Sequence, residues 1–194
     1  MRLIGWHGTT NKRKAKILSE GFQFKVYNPG KEKERHPNDL GNGIYFFLPF
    51  GEDNGKNIAV AYVKKYKSRE LLQKGIEPVC IGADLSFEAK ENIFCLDDLE
   101  NQLLLQEFRV LMEKEIVEKL TNIKNDGAKR RATKINQNQG LVIEILLDLA
   151  RVYGKNYDAV LSITYTDLEV LPVIDGKNGK EICVRNRDCI TSIA

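Results

Sequence analysis

Strand-like runs stand at both ends of this chain, and its longest helix-patterned stretch lies between them. Near the start, "RLIGW" (2–6) is short and mostly apolar, and "IYFFL" (44–48) is aromatic and β-favouring. "PVCIGADL" (78–85) reads as a further strand. Past residue 154 the β-like runs return as "YDAVLSI", "LEVLPVI", "KEICVR" and "DCITSI". This order predicts a mixed α/β fold in which a helical pair interrupts the strands. No internal repeat is present.

The helices carry their own signals. In "NKRKAKILSEGF", Asn11 is a candidate cap, Ala15, Ile17 and Leu18 give an apolar side, and Gly21 is a stop. Residues 25–43 mix Pro29, Gly30, Pro37, Gly41 and Gly43 with many charges and read as a loop. "EDNGKNIAVAYVKKYKSRELLQKG" reads as a loop followed by helical segments. "DDLENQLLLQEFRVLMEKEIVEKL" places Leu104, Phe108, Leu111 and Leu120 at helical spacings, with Asp97 and Asp98 suited to its positive N-terminal end. "GLVIEILLDLARVYG" reads as a second helix that Gly154 ends.

Composition bounds the function classes. A chain of 194 residues, 42% hydrophobic and 29% charged, suits one globular domain over 1–194 with a helical insertion at about 97–153. No apolar run is long enough to cross a bilayer, and the start lacks an apolar signal-peptide core, so a cytoplasmic protein with no membrane contact is expected. None of the four cysteines forms a C-x-x-C pair and only two histidines exist, which leaves a metal site without support. Cys80 and Cys183 lie in apolar runs and are expected reduced and buried, and Cys183 and Cys189 are expected unpaired. His36, in a charged loop, is expected to be solvated.

The net charge of +3 is local. "KNDGAKRRATK" (Lys124–Lys134) carries five cations and one anion, or +4, so the remainder sums to −1. The window reads as a solvated linker, a phosphate-contacting patch for nucleic acid, or a docking surface for a protein target or an acidic partner. It holds no aromatic residue for base stacking.

Chemistry concentrates in "GWHGTT" (5–10) and "LGNGIYFF" (40–47). A strand that ends in His-Gly sets a hydrogen-bonding ring beside backbone that a ligand can approach closely. In the second motif Gly41 and Gly43 precede an aromatic strand, and Tyr45 is placed to stack on a flat heterocycle. Alone, His7 reads as a structural histidine and Tyr45 as a strand aromatic. In order, "WHGT", "ILSEGF" and "LGNGIYF" resemble the catalytic domain of poly(ADP-ribose) polymerase-like ADP-ribosyltransferases, whose signature is His-Tyr-Glu. "GKEICVRNRDCI" puts Glu181 where that family carries its glutamate. The likeness covers residues 2–66 and, less closely, 157–193; it does not reach the helical pair.

The resemblance implies two small sheets that form an NAD+ cleft. It implies that His7 bonds the adenosine ribose, Gly8 holds the nicotinamide carboxamide through its backbone, and Thr9 supplies the hydroxyl that follows. Tyr45 and Tyr62 would stack on the nicotinamide ring, and Glu181 would engage the nicotinamide ribose as the catalytic carboxylate. Ala59 departs from the pattern, because many members carry a serine there. Gly179 argues against the arginine-directed branch. The implied activity is mono-ADP-ribosylation of a protein, DNA or RNA acceptor by NAD+, without a metal, as in a toxin or defence effector. An NAD+ glycohydrolase, an RNA 2′-phosphotransferase and an inactive NAD- or nucleic-acid-binding module stand as alternatives.

Overall fold

The computed structural model describes residues 1–24, 26, 37–114, 139–166, 168 and 179–194. The basic window Lys124–Lys134, His36 and most of "LEVLPVI" lie outside the described residues. The strands are β1 (Arg2–Thr10), β2 (Ile44–Leu48), β3 (Pro78–Ser86), β4 (Ile93–Cys95), β5 (Ala159–Thr164), β6 (Gly179–Val184) and β7 (Ile190–Ile193). The helices are α1 (Asn11–Glu20), α2 (Lys56–Tyr66), the one-turn α3 (Ser68–Leu71), α4 (Leu99–Leu111) and α5 (Gln139–Val152). Together they make a mixed α+β fold.

The strands form one seven-stranded sheet in the order β4-β5-β6-β2-β1-β3-β7, not two separate sheets. It is nonetheless nearly divided. β1 and β2 share a single register pair, Trp6↔Phe47, whereas β1–β3 pairs from Arg2↔Ser86 to Thr10↔Pro78 and β2–β6 from Ile44↔Val184 to Leu48↔Lys180. Every pairing is antiparallel except β4–β5. A parallel pair cannot be joined by a tight turn and needs a long crossover. The chain between Cys95 and Ala159, which carries α4 and α5, is that crossover.

Both faces of the sheet are covered. On one, Ile17 of α1, Phe22 and Phe24 pack on Phe46, Ile81, Leu85 and Ile182. On the other, α4 and α5 bury Phe108, Leu141, Ile143 and Leu147 against Phe94, Val160 and Cys183. Beside them, Ile58, Ala59 and Ala61 of α2 pack with Phe47 and Trp6. The buried side of α4 is Leu105 and Phe108, with Leu104 and Leu111 exposed. Phe108 of the sequence stripe is thus buried, while Leu105 and Met112 pack where Leu104 and Leu111 were expected: "LLLQ" offers apolar residues to several helix faces, and contact with the sheet selects among them.

The helix ends also differ in detail. Thr10, not Asn11, stands at the N-cap of α1, without a side-chain bond; Asn11 Oδ1 accepts from the Lys12 N–H in the first turn and from the Glu77 N–H, and its Nδ2 donates to Gly75 O. Asp98 is the N-cap residue of α4, but Asp97 turns away and both of its oxygens accept from the Ile163 N–H at 3.0 Å. Gly21 and Gly154 stop α1 and α5 in left-handed φ, as read from the sequence. All four cysteines are free; Cys80 is only half-buried, while Cys183 is fully buried. No helix among the described residues is long and apolar enough to cross a membrane.

Candidate active site

The seam between β1 and β2 organises the site. Beyond Trp6↔Phe47 the strands part, and a side chain bridges them: His7 Nδ1 lies 2.9 Å from the Tyr45 carbonyl. A carbonyl oxygen only accepts, so Nδ1 carries the hydrogen and Nε2 of the neutral ring is an acceptor. The imidazole meets Phe22 and Phe46 edge-on, with centroids 5.1 and 5.9 Å away. Burial among these rings pulls the His7 pKa below its ordinary 6.5, opposed by the Tyr45 bond and helped by the positive charge of Lys67. A neutral His7 can therefore accept a hydroxyl, such as one on a sugar, at Nε2.

Glu181 sits on β6 between two neighbours, opposite Phe47 of β2 and Ser162 of β5. Its Oε1 accepts from Thr164 Oγ1 at 3.0 Å and Thr166 Oγ1 at 3.1 Å. Oε2 has no partner among the described residues. Burial raises the pKa of this carboxyl; the two threonine hydroxyls oppose the rise and the charge of Asp39 adds to it. One oxygen is thus anchored, and the other is free to face a developing positive charge or a hydroxyl.

Register fixes which candidates meet. Directly opposed residues share a face, so Glu181, Phe47 and Trp6 project to one side, together with Tyr45 and Gly8. Tyr62 of α2 joins them, with its ring 5.7 Å from Phe47 and 4.7 Å from Tyr66. His7 and Thr9 project to the other side. Thr9 is only 4% exposed, which puts its hydroxyl out of reach of a ligand. One ligand could touch both His7 and Glu181 only by lying across the open end of the seam.

Two further candidates have strong local duties. A Cβ on Gly8 would stand 2.9 Å from Val63 Cγ2 and closer still to the Ala59 carbonyl oxygen, so glycine lets α2 press onto β1. Ala59 is fully buried at this contact. The Tyr45 hydroxyl donates to Gly41 O at 2.8 Å and accepts from the Leu40 N–H at 3.0 Å, which fastens the ring to the glycine turn. Burial holds its pKa well above 10. The ring itself stays half-buried.

Sequence reasoning missed the groups that hold this turn. Glu144 of α5, 4% exposed, accepts from the Asn42 N–H at 2.7 Å and from Asn42 Nδ2 at 2.8 Å. Arg185, just past β6, donates to both Glu144 oxygens. Gly41, at φ +90°, leaves no room for a side chain beside Glu144 Oε1. Three distant segments are thereby locked together: the turn under Tyr45, the crossover helix, and the strand that carries Glu181. The available signals were a lone glutamate inside the apolar run "LVIEILL" and the i, i+2, i+4 spacing of Glu181, Cys183 and Arg185 on one strand. The threonines on Glu181 had no such signal, since only strand pairing brings them near.

Among the described residues no group of three His, Cys, Asp or Glu side chains could hold a metal ion. Compared with models of protein families, with curated proteins and with solved structures, the chain matches none.

Proposed function

We propose that the chain is an NAD+-dependent ADP-ribosyltransferase that moves a single ADP-ribose to a macromolecular acceptor. The observation that carries this reading is the Glu181 carboxylate, pinned through Oε1 by two threonines with no bond to Oε2 among the described residues, one residue pair from the seam. The motif resemblance suggests the ligand, and the geometry supports the roles proposed for the site residues. Nicotinamide would lie between Tyr45 and Tyr62 beside the Gly8 backbone, on the same face as Glu181. The bond from ribose C1 to the nicotinamide nitrogen breaks, and its electron pair leaves with nicotinamide. Glu181 stabilises the positive charge that develops on the ribose, then receives the proton of the acceptor atom that bonds to C1. His7 would bind a ribose hydroxyl through Nε2 from the far side of the seam.

The chain's one tryptophan offers a direct assay, because Trp6 lies on the Glu181 face with Lys56 Nζ 5.5 Å from its ring. Titration with NAD+ should change Trp6 emission saturably. Incubation with NAD+ and cell lysate should release nicotinamide, and Glu181→Gln should abolish that release while keeping the fluorescence response. Release that persists in Glu181→Gln would overturn the reading.

A further inference from the structure

A second concavity opens next to Glu181, on the crossover side of the same face. Ser162 is the register partner of Glu181 on β5, and it also lines a groove of about 600 Å³ between β5 and α4. Across the groove stand Gln102, Gln106 and Arg109, at i, i+4 and i+7 on one face of α4, with Gln139 at the start of α5. The floor is apolar, formed by Leu96, Leu105 and Ile163. Asp97 lines one part, with its carboxylate already bonded to the Ile163 N–H.

The polar side chains are conspicuous for what they do not bond. The Gln102, Gln106 and Gln139 amides and the Arg109 guanidinium have no partner among the described residues. Arg109 is half-buried, and no carboxylate is paired with it there. A partly desolvated, unpaired guanidinium attracts an oxyanion. Amides on an apolar floor suit the edge and face of a flat, hydrogen-bonding ring. A groove of this size holds one such unit.

We propose that this groove is the acceptor subsite and takes one nucleotide of a single-stranded nucleic acid, with the phosphate on Arg109 and the base among Gln102, Gln106 and Gln139. The proposal rests on the transferase reading for the word acceptor, but the groove's ligand can be tested without it. A duplex keeps its bases stacked and paired, out of reach of such a groove, whereas a single strand presents them. DNA and RNA share the recognised chemistry and differ at the sugar.

The test is fluorescence anisotropy on the full chain without NAD+, using labelled mixed-sequence single-stranded DNA, the matching RNA, a duplex and an acidic peptide. Single strands should bind in preference to the duplex. Arg109→Ala should weaken them about tenfold and reduce the salt slope by about one charge. Gln106→Ala, at an exposed position, should weaken them with the slope unchanged. Thermal melts of both variants check folding, and the preferred strand names the source. No single-strand binding, binding that both variants retain, or Arg109-dependent binding of the peptide alone would each overturn the proposal. Nicotinamide release from NAD+ is read separately. Arg109-dependent binding without release sinks the transferase reading and leaves the groove; release without strand binding does the reverse.

Discussion

Removing Glu144 should cost more stability than removing any surface charge of this protein. Its side chain is 5% exposed and that of Arg185 19%, so solvent screens the pair weakly. Four donors converge on it: the Asn42 N–H, Asn42 Nδ2 and two guanidinium nitrogens. Glu144→Ala takes the carboxylate away from a largely buried cation and from two Asn42 donors, a loss of about 3–5 kcal/mol. For a chain of this length each kcal/mol shifts the melting temperature by about 2–4 °C, so the drop should be about 6–20 °C. Urea unfolding at constant low ionic strength, followed by circular dichroism, measures the free energy without screening the pair. Arg185→Ala should also destabilise. The double variant should lose less than the sum, by a coupling of about 1–3 kcal/mol. A Glu144→Ala loss under about 1 kcal/mol, or strict additivity, would refute the view that this pair fastens the turn.

Three other perturbations probe the seam. Burial holds the folded Glu181 carboxyl above its ordinary 4.5, so the folded state keeps a proton that the unfolded chain has lost, and stability falls as pH rises through that window. Glu181→Gln should therefore melt higher than the wild type at neutral pH, with the gap closing below ~pH 4, where both states are protonated; a lower melt at neutral pH contradicts this. His7 works in the opposite direction. Its folded pKa lies below 6.5, so the unfolded chain takes up a proton first and stability is lost as pH falls through that range; His7→Gln should flatten this part of the profile, and nitrogen NMR should find the hydrogen on Nδ1. Gly8→Ala forces a methyl against the Ala59 carbonyl and should cost about 1–3 kcal/mol in urea unfolding; a loss below about 0.5 kcal/mol would mean that α2 is free to retreat.

The sequence disclosed local structure well, because local structure follows short-range pattern. The aromatic run 44–48 became β2, and 78–85 became all but the last residue of β3. Gly21 and Gly154 stop helices because only left-handed φ continues the chain there. What stayed hidden depends on contacts between segments far apart. β4 has three residues, too few to show alternation, and it is a strand only because β5 lies beside it. The motif likeness does not reach the helical pair, yet that part of the chain joins two parallel strands and sends Glu144 to the turn under Tyr45. Periodicity in one segment carries no trace of such a partner.

The placement of His7 is the sharpest case, since it turns on parity. Position along the strand sets its alternation with Trp6, but the register with β2 decides which of the two shares a face with Glu181. A slip of one residue would bring His7 onto the Glu181 face. Small residues are matched to the observed register. A Cβ on Gly5 would stand 2.7 Å from Phe46 Cβ, and one on Gly82 would stand 3.2 Å from the Trp6 ring. Each glycine leaves room for one large ring, Gly5 for Phe46 of β2 and Gly82 for Trp6 across the β1–β3 ladder. In "GWHG" the glycine before the tryptophan is thus as informative as the histidine after it: it makes room for Phe46 in the register that sends His7 to the far face and puts Trp6 on the Glu181 face, one strand away.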